Sequence, residues 1–296
     1  MTDETLRGVI VKGIGGFYYT QTKDGQIYTL RARGIFRKEK ITPLVGDNVL
    51  FTPGTGEEEW WIDRILPRKN VLIRPPVANI SALIIVIAPK PQPDLLMIDS
   101  LMIEARRQNI PPVLVINKAD LKPDLCQAYR EQYAGTGDLL VITSAKSGQG
   151  LEALAKILKL GICCFAGQSG VGKSSLVSAV TGIQLETGEI SRKIARGKHT
   201  TRHAELHILN DYHVLDTAGF SLLSQAEPED PVLLQDYYPE FTPYLGKCRF
   251  QPCYHHSEPG CAVLEAGDDG LIANERIMRY HQLLENAKEA WKGRYE

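Results

Sequence analysis

The feature that most constrains the fold of this chain is a glycine-rich segment at residues 167–174, which lies between an apolar run and a helical pattern. Its sequence, Gly-Gln-Ser-Gly-Val-Gly-Lys-Ser, matches the phosphate-binding pattern G-x-x-x-x-G-K-[ST]. Glycines let such a loop wrap around a phosphate, so that backbone N–H groups and the next helix N-terminus face its oxygens. The pattern predicts that Lys173 neutralises phosphate oxygens and that Ser174 binds Mg²⁺. The predicted phosphate-site residues are Gly167, Gln168, Ser169, Gly170, Val171, Gly172, Lys173, Ser174 and Ser175.

The segment around this loop, residues 69–227, has the pattern of a domain in which strands and helices alternate. Between its apolar runs, helical spacing predicts one helix that begins near Asp94 and another over residues 151–159. Alternation of this kind indicates an α/β fold with a mostly parallel sheet and helices on both faces. The predicted strands are residues 82–88, 113–116, 139–142, 162–166, 206–209 and 213–215.

Two polar motifs at predicted strand ends indicate which base this domain binds. Asn117-Lys118-Ala119-Asp120 follows one strand and Ser144-Ala145-Lys146 follows the next, at the edge where open α/β sheets bind ligands. The Asp120 carboxylate can accept hydrogen bonds from both N1–H and the N2 amino group of guanine, whereas adenine lacks that pair of donors. Asn117 can tie its loop to the phosphate loop, and the Ala145 N–H can meet guanine O6. The predicted guanine-binding residues are Asn117, Lys118, Asp120, Ser144, Ala145 and Lys146.

Two further segments are candidates to contact the γ-phosphate and Mg²⁺. Asp216-Thr217-Ala218-Gly219 follows the last predicted strand. We expect Asp216 to hold Mg²⁺ through a water molecule and the Gly219 N–H to contact the γ-phosphate. The preceding loop offers Thr200 and Thr201 for the second Mg²⁺ contact. Thr201 is favoured, and the choice between the two stays open.

The residue after this motif, Phe220, bears on catalysis. Ras-like enzymes place a glutamine there to orient the attacking water, which an apolar side chain cannot do. The sequence therefore predicts slow intrinsic hydrolysis, assisted by a partner or by another residue. His199 is the candidate water-orienting group and acts together with Lys173, although a histidine is more often solvated or part of a core.

The C-terminal segment, residues 228–296, contains a cluster of potential metal ligands. Its pattern, Cys248-x4-Cys253-x-His255-x5-Cys261, predicts a closed tetrahedral Cys₃His site for one structural zinc ion. His256, beside His255, is an alternative ligand. The predicted terminal helix has one apolar stripe, formed by Ile277, Tyr280, Leu284, Ala287 and Trp291.

The N-terminal segment, residues 1–68, contains short strand-like runs separated by turns such as Asp24-Gly25. Five short strands in so few residues predict a small antiparallel barrel of the OB type, with an SH3-like barrel as the alternative. Aromatic residues lie beside basic residues, a combination that suits RNA binding, although aromatics in a small barrel are more often core. The aromatics are Phe17, Tyr18, Tyr19, Tyr28 and Phe36, and the basic residues are Lys12, Arg31, Arg33, Arg37 and Lys38.

The order of these motifs along the chain resembles that of a known family. They are the motifs of translation-factor GTPases, but the base-binding pair precedes the phosphate loop, as in a circular permutation. With the barrel and the Cys/His cluster, the whole chain resembles the ribosome small-subunit-dependent GTPases (the RsgA family). The resemblance implies a circularly permuted P-loop GTPase domain between an N-terminal OB-like β-barrel and a C-terminal zinc-binding helical domain.

The resemblance also implies a function. Members of the family hydrolyse GTP, are stimulated by the small ribosomal subunit and act late in its maturation, so the implied partners are that subunit, its rRNA and GTP or GDP. The family usually has three consecutive switch threonines, whereas Arg202 stands third here. A regulatory GTP-binding switch and an RNA chaperone acting on another ribosomal particle are the alternatives.

Composition narrows the class of protein further. Hydrophobic content of 43% and charged content of 23% are typical of a globular protein and exclude a disordered one. The most apolar run, residues 80–88, is much shorter than the roughly 20 residues that cross a bilayer. We therefore expect a cytoplasmic monomer that does not bind a membrane.

Overall fold

The computed structural model of the protein describes residues 5–54, 60–72, 76–183, 204–216 and 228–295. Four of the predicted switch residues, His199, Thr200, Thr201 and Gly219, lie outside these ranges, as does the side chain of Asp216. The division into domains at residues 68 and 227 stays a prediction.

The N-terminal segment forms a closed barrel of five strands. The strands are β1 (Leu6–Ile14), β2 (Phe17–Thr22), β3 (Ile27–Ala32), β4 (Asn48–Pro53) and β5 (Trp60–Ile65), with helix α1 (Gly34–Lys38) after β3. They follow the order β1-β2-β3-β5-β4, and β4 pairs back with β1 to close the barrel. The pair β3–β5 is parallel, whereas the other barrel pairs are antiparallel. Ile10, Leu30, Phe51 and Ile62 fill the interior with no exposed surface, which confirms the predicted OB-like barrel.

The central segment forms a six-stranded sheet that continues from the barrel. After a short hairpin, β6 (Val71–Leu72) and β7 (Val77–Ala78), come β8 (Ile80–Ile87), β9 (Pro112–Ile116), β10 (Leu139–Ile142), β11 (Ile162–Ala166), β12 (Glu205–Leu209) and β13 (Tyr212–Asp216). The order is β10-β9-β8-β11-β13-β12, with β12 antiparallel at the edge. Lys12 of β1 pairs with Glu205 of β12, and their side chains form an ion pair at 2.9 Å.

Helices cover both faces of this sheet, as the strand–helix alternation predicts. They are α2 (Leu95–Arg107), α3 (Pro123–Tyr133), α4 (Leu151–Leu158) and α5 (Lys173–Thr181). Alternate residues of β8 face opposite sides, so that Ile85 packs in the core under α2 and α3 while Ile84 packs under α4 and α5. The parallel strands end at one edge of the sheet, which brings the loops after β9, β10 and β11 next to one another.

The C-terminal segment packs against α2 and α3 through helix α7 (Asn274–Lys292), which follows the shorter α6 (Ala262–Asp268). The stripe predicted on this helix is confirmed at Ile277, Tyr280 and Leu284, which are buried. None of the described helices has both the length and the apolar character needed to cross a membrane.

A buried group of charges joins α7 to α2, and the sequence analysis did not predict it. The carboxylate of Asp99 in α2 pairs with Arg276 at 2.5 Å and with Arg279 at 2.7 Å, and it accepts a hydrogen bond from Tyr133 at 2.6 Å. Arg276 also pairs with Glu240 at 2.8 Å. The Asp99 and Arg276 side chains are 0% and 2% exposed, so these charges neutralise one another almost without water.

Candidate nucleotide site and metal centre

The phosphate loop runs from the end of β11 to the start of α5 and has the backbone that its glycines permit. Gly167, Gly170 and Gly172 adopt positive φ angles of 120°, 80° and 96°, a region that disfavours residues with a Cβ. At Gly167, a Cβ would lie only 2.2 Å from the carbonyl oxygen of Val86. Gly167 is therefore required by the close approach of β8 as well as by the turn itself.

Lys173 folds back over this loop. Its Nζ donates to the carbonyl oxygens of Gly167 and Gln168, both at 2.8 Å. Burial lowers the pKa of Lys173, because the ammonium group has lost water. An anion placed beside the ammonium group would offset that penalty, so the geometry favours a phosphate at this position.

The loop after β9 lies directly against the phosphate loop. Asn117 is buried and its Nδ2 donates to the carbonyl oxygen of Val171 at 2.9 Å, the tie that the sequence predicted. Lys118, at a positive φ of 58°, donates from Nζ to the carbonyl oxygens of Gly170 at 2.6 Å and Lys90 at 3.0 Å. The stem of Lys118 thus crosses the gap between the two loops.

Asp120 is exposed at the same edge of the sheet and is held by the loop after β10. The Ser144 hydroxyl donates to Asp120 Oδ1 at 2.6 Å. The Ala145 N–H, which the sequence assigned to guanine O6, donates to Asn117 Oδ1 at 3.3 Å. The carboxylate is therefore oriented, and Oδ2 together with a second lone pair of Oδ1 is left for a ligand.

These loops together line one open pocket of 440 Å³. The pocket contains residues of the predicted base-binding motifs and of the phosphate loop, although the two lie about 50 residues apart and in the reverse of the usual order. Leu121 also lines it and was missed, since only its position after Asp120 could have indicated a role. The lining residues are Asn117, Lys118, Asp120, Leu121, Ala145, Lys146, Gly172 and Ser175.

The four predicted metal ligands come together in the C-terminal segment. Cys248, Cys253, His255 and Cys261 are all buried, and their ligand atoms lie within 4.8 Å of one another. The sulfurs of Cys248 and Cys261 are 3.9 Å apart, and His255 Nδ1 lies 3.6 Å and 3.2 Å from them. This group could hold a metal ion.

The neighbouring His256, the alternative ligand, lies outside this group. Its ring is exposed, with Nδ1 3.4 Å from the Ser257 hydroxyl and Nε2 3.8 Å from Glu285. The ring of His255 faces the sulfurs instead, from a backbone with a positive φ of 54°. The carboxylate of Glu258 fixes the same turn by accepting hydrogen bonds from the N–H groups of Tyr254 and His256 at 2.9 Å and 2.8 Å.

Comparison with known protein families finds a match for the central segment and a match for the N-terminal barrel. The chain matches the RsgA GTPase family over residues 65–226 and the RsgA N-terminal domain over residues 7–60. It belongs to the RsgA GTPase family.

Relatives in this family extend over nearly the whole chain. The chain is 45% identical to the small ribosomal subunit biogenesis GTPase RsgA of Caldanaerobacter subterraneus subsp. tengcongensis, over 99% of each protein. It is also 45% identical to the protein of the same name from Ruminiclostridium cellulolyticum, over 95% of this chain and 94% of that one.

Two solved structures share the fold. The chain superposes on YjeQ from Thermotoga maritima with a TM-score of 0.81 and 34% identity, over 96% of this chain and 98% of that one. It superposes on YloQ, described as a circularly permuted GTPase, with a TM-score of 0.77 and 32% identity, over 97% of this chain and 96% of that one. The predicted permuted fold is therefore confirmed.

In this member of the RsgA GTPase family, the structure also shows which barrel aromatics belong to the core and which are exposed, a question that the sequence left open. Phe36 is buried and Tyr28 packs edge-on against Trp60 with ring centroids 4.8 Å apart, so both contribute to the barrel core. Phe17 is 39% exposed, and the Arg31 guanidinium lies 4.8 Å from its ring centroid. This exposed aromatic–cation pair is the part of the barrel that suits a nucleic-acid contact.

Proposed function

We propose that the protein hydrolyses GTP to GDP and phosphate, that the small ribosomal subunit stimulates this reaction, and that it acts late in the maturation of that subunit. The observation that carries the proposal is the single pocket that the base-binding loops and the phosphate loop line together. The names of the relatives, small ribosomal subunit biogenesis GTPases, support the assignment of the partner.

The proposed guanine contacts follow from the orientation of Asp120. Its carboxylate offers two acceptor oxygens to the N1–H and N2 donors of guanine, while adenine would leave a desolvated carboxylate unpaired. Lys118 would lie along the base, and the Ala145 N–H would move from Asn117 to guanine O6. Ser144 keeps Asp120 in place.

The proposed phosphate contacts come from the loop and the first turn of α5. Backbone N–H groups of residues 167–174 would surround the β-phosphate, and Lys173 would exchange its two loop carbonyls for phosphate oxygens. Ser174, in the first turn of α5 and half-buried, and Thr201 would hold Mg²⁺, with Asp216 as a water-mediated ligand. When bound, Mg²⁺ would neutralise charge on the phosphates. Thr200 and Gly219 would complete the γ-phosphate contacts.

His199 is proposed to orient the attacking water. The support is the presence of Phe220 at the position where Ras-like enzymes have glutamine. Because a single side chain is a weak catalyst until a partner orients it, the proposal expects slow hydrolysis in the free protein and faster hydrolysis on the subunit.

Lys173→Ala is expected to reduce subunit-stimulated GTP hydrolysis by about 100-fold or more, because a positive charge aimed at the reacting phosphates is lost. Phosphate release would be measured over multiple turnovers with small subunits, with large subunits and with neither. Lys156→Ala, which removes an exposed lysine of α4, is the matched control and should leave the rate unchanged.

The same assay distinguishes the alternatives. Stimulation by large subunits alone would favour an RNA chaperone for another particle. Turnover that stays near zero under all three conditions, with GTP still bound, would favour a regulatory switch and contradict the proposal.

For the metal centre we propose one structural Zn²⁺. A tetrahedral zinc site with zinc–sulfur bonds of about 2.3 Å places two sulfurs about 3.8 Å apart, and the Cys248–Cys261 separation is 3.9 Å. Burial raises the pKa of Cys253 to about 12, so a bound cation would displace protons from the thiols. Three thiolates and one imidazole leave no open position for water, which makes the role of the metal structural.

Cys253→Ala is expected to abolish stoichiometric zinc binding, because a three-ligand remainder cannot close the site. Zinc content per chain would be measured by elemental analysis of the purified protein. Cys126→Ala, which removes a buried cysteine of α3, should retain about one zinc per chain. A full zinc complement in Cys253→Ala would exclude this ligand set.

The barrel is proposed to contact rRNA through the exposed Phe17–Arg31 pair and the exposed basic residues Arg37 and Lys38. Lys12 and Arg33 are already engaged with Glu205 and Asp63 within the chain, so we assign them to the structure of the barrel and its junction. We also propose that the protein acts in the cytoplasm as a monomer.

A further inference from the structure

The hydrogen bonds around His255 point to a residue outside the ligand set. The Nδ1 atom of the ring faces the sulfurs of Cys248 and Cys261. The opposite atom, Nε2, lies 2.6 Å from Oε1 of Gln235. Gln235 lies 20 residues before His255 in the chain and belongs to no metal-binding pattern in the sequence.

The chemistry of the two ring nitrogens gives this contact a direction. A neutral imidazole carries a proton on one nitrogen and a lone pair on the other, and only the nitrogen with the lone pair can bind a metal. A carbonyl oxygen can only accept, so Gln235 Oε1 requires the proton to be on Nε2. The lone pair is then on Nδ1, the atom that faces the sulfurs of Cys248 and Cys261.

Gln235 is itself held in place by α2. It lies in a 3₁₀ helix, Pro231–Tyr237, whose first turn is capped by Asp230 accepting from the Val232 N–H at 3.0 Å. Arg106 of α2 donates to the carbonyl oxygen of Tyr237 at 2.8 Å, and Arg107 pairs with Glu229 at 3.1 Å. The backbone segment that carries the acceptor is therefore anchored to α2.

His255 is also fixed on its backbone side. Nε2 of His281 in α7 donates to the His255 carbonyl oxygen at 2.8 Å. His255 is therefore held on its backbone by α7 and on its ring by an amide acceptor from the 231–237 segment.

We propose that Gln235 is a positioning residue for the metal centre, which selects the Nε2–H tautomer of His255 and so makes Nδ1 the ligand atom. The inference rests on the proposed zinc site. It also connects that site to α2, because the segment that carries Gln235 is the one docked on Arg106 and Arg107.

Gln235→Leu is expected to weaken zinc binding by about 10- to 100-fold, the usual effect of losing an outer hydrogen-bond acceptor. The zinc affinity of the full-length protein would be measured by competition with a chromophoric chelator. Gln235→Glu keeps an acceptor at the same position and should stay within about threefold of the original affinity or bind more tightly. Gln282→Leu, at an exposed position of α7, is the matched control and should have no effect.

A second measurement needs no variant. Long-range ¹H–¹⁵N correlation spectra of the zinc-loaded protein with ¹⁵N-labelled histidine distinguish a metal on Nδ1 from a metal on Nε2. We expect Nδ1 ligation with a protonated Nε2 at His255. Nε2 ligation, or an unchanged affinity in Gln235→Leu, would overturn the role of Gln235 while the zinc site itself stands. A wild-type protein that binds no zinc would instead refute the metal site.

Discussion

Asp120→Asn is expected to lower the affinity for GTP and GDP by about 100-fold or more, since two hydrogen bonds to a charged acceptor are lost at roughly 1.5–3 kcal/mol each. The variant should gain affinity for xanthine nucleotides. Asparagine offers one donor and one acceptor, which complement the C2 carbonyl and the N1–H of xanthine, as the carboxylate complements the two donors of guanine. The Ser144 hydroxyl can still donate to the amide oxygen, so the loop after β10 should keep its position.

Calorimetric titration with GDP, ADP and xanthosine diphosphate would test this exchange. Asp124→Asn, an exposed change four residues away in α3, is the control and should keep the original preference. If Asp120→Asn retained its preference for GDP over xanthosine diphosphate, or if the original protein bound ADP as well as GDP, the assignment of this pocket to guanine would be wrong.

Asp99→Ala is expected to destabilise the protein by about 3–5 kcal/mol, the range seen when one partner of a buried ion pair is removed. The substitution leaves the Arg276 and Arg279 guanidinium groups facing each other with the carboxylate between them gone. Glu240 pairs with only one of them. At about 2–4 °C per kcal/mol for a domain of 150–250 residues, the expected fall in Tm is roughly 6–20 °C.

A second variant separates the loss of charge from the loss of volume. Asp99→Asn keeps the size of the side chain and an acceptor for the Tyr133 hydroxyl, which donates to Asp99 at 2.6 Å, but removes the negative charge. If charge pairing dominates, Asp99→Asn should lower the free energy of unfolding by nearly as much as Asp99→Ala does. The control is Asp268→Ala, at an exposed position of α6. It should change the free energy of unfolding by no more than about 0.5 kcal/mol. Thermal unfolding of all three would be compared, and a loss below about 1 kcal/mol in Asp99→Ala would show that water already solvates these charges.

The cluster around Asp99 and the contact of Gln235 with His255 have a common consequence. Asp99 ties α7 to α2, and the segment that carries Gln235 docks on Arg106 and Arg107 of the same helix. Asp94, the N-cap of α2, is in turn connected to the phosphate loop because its N–H donates to Gln168 Oε1 at 3.2 Å. The metal centre and the nucleotide pocket are thus joined through one helix as well as through the chain that follows the Asp-Thr-Ala-Gly motif.

Much of the site could be predicted from the sequence because its chemistry is local. The phosphate loop, the Asn-Lys-Ala-Asp and Ser-Ala-Lys motifs and the Cys/His cluster each lie within fourteen residues, and their backbone geometry follows from the residue types at fixed spacing. The strands and the amphipathic helix were predicted for the same reason, since periodicity is a property of neighbouring residues.

The tertiary structure decided the questions in which the partners are far apart in the chain. It shows that Asn117 donates to Val171, that His255 rather than His256 lies with the three cysteines, and that Asp99 pairs with Arg276. It also assigned Phe36 to the core and Phe17 to the surface, and it identified the contact of Gln235 with His255. Each of these depends on how complete strands and helices pack, and packing free energy is shared among many distant residues rather than encoded in any short segment. The sequence by itself determined what chemistry each loop can perform, and the fold decided which loops act together.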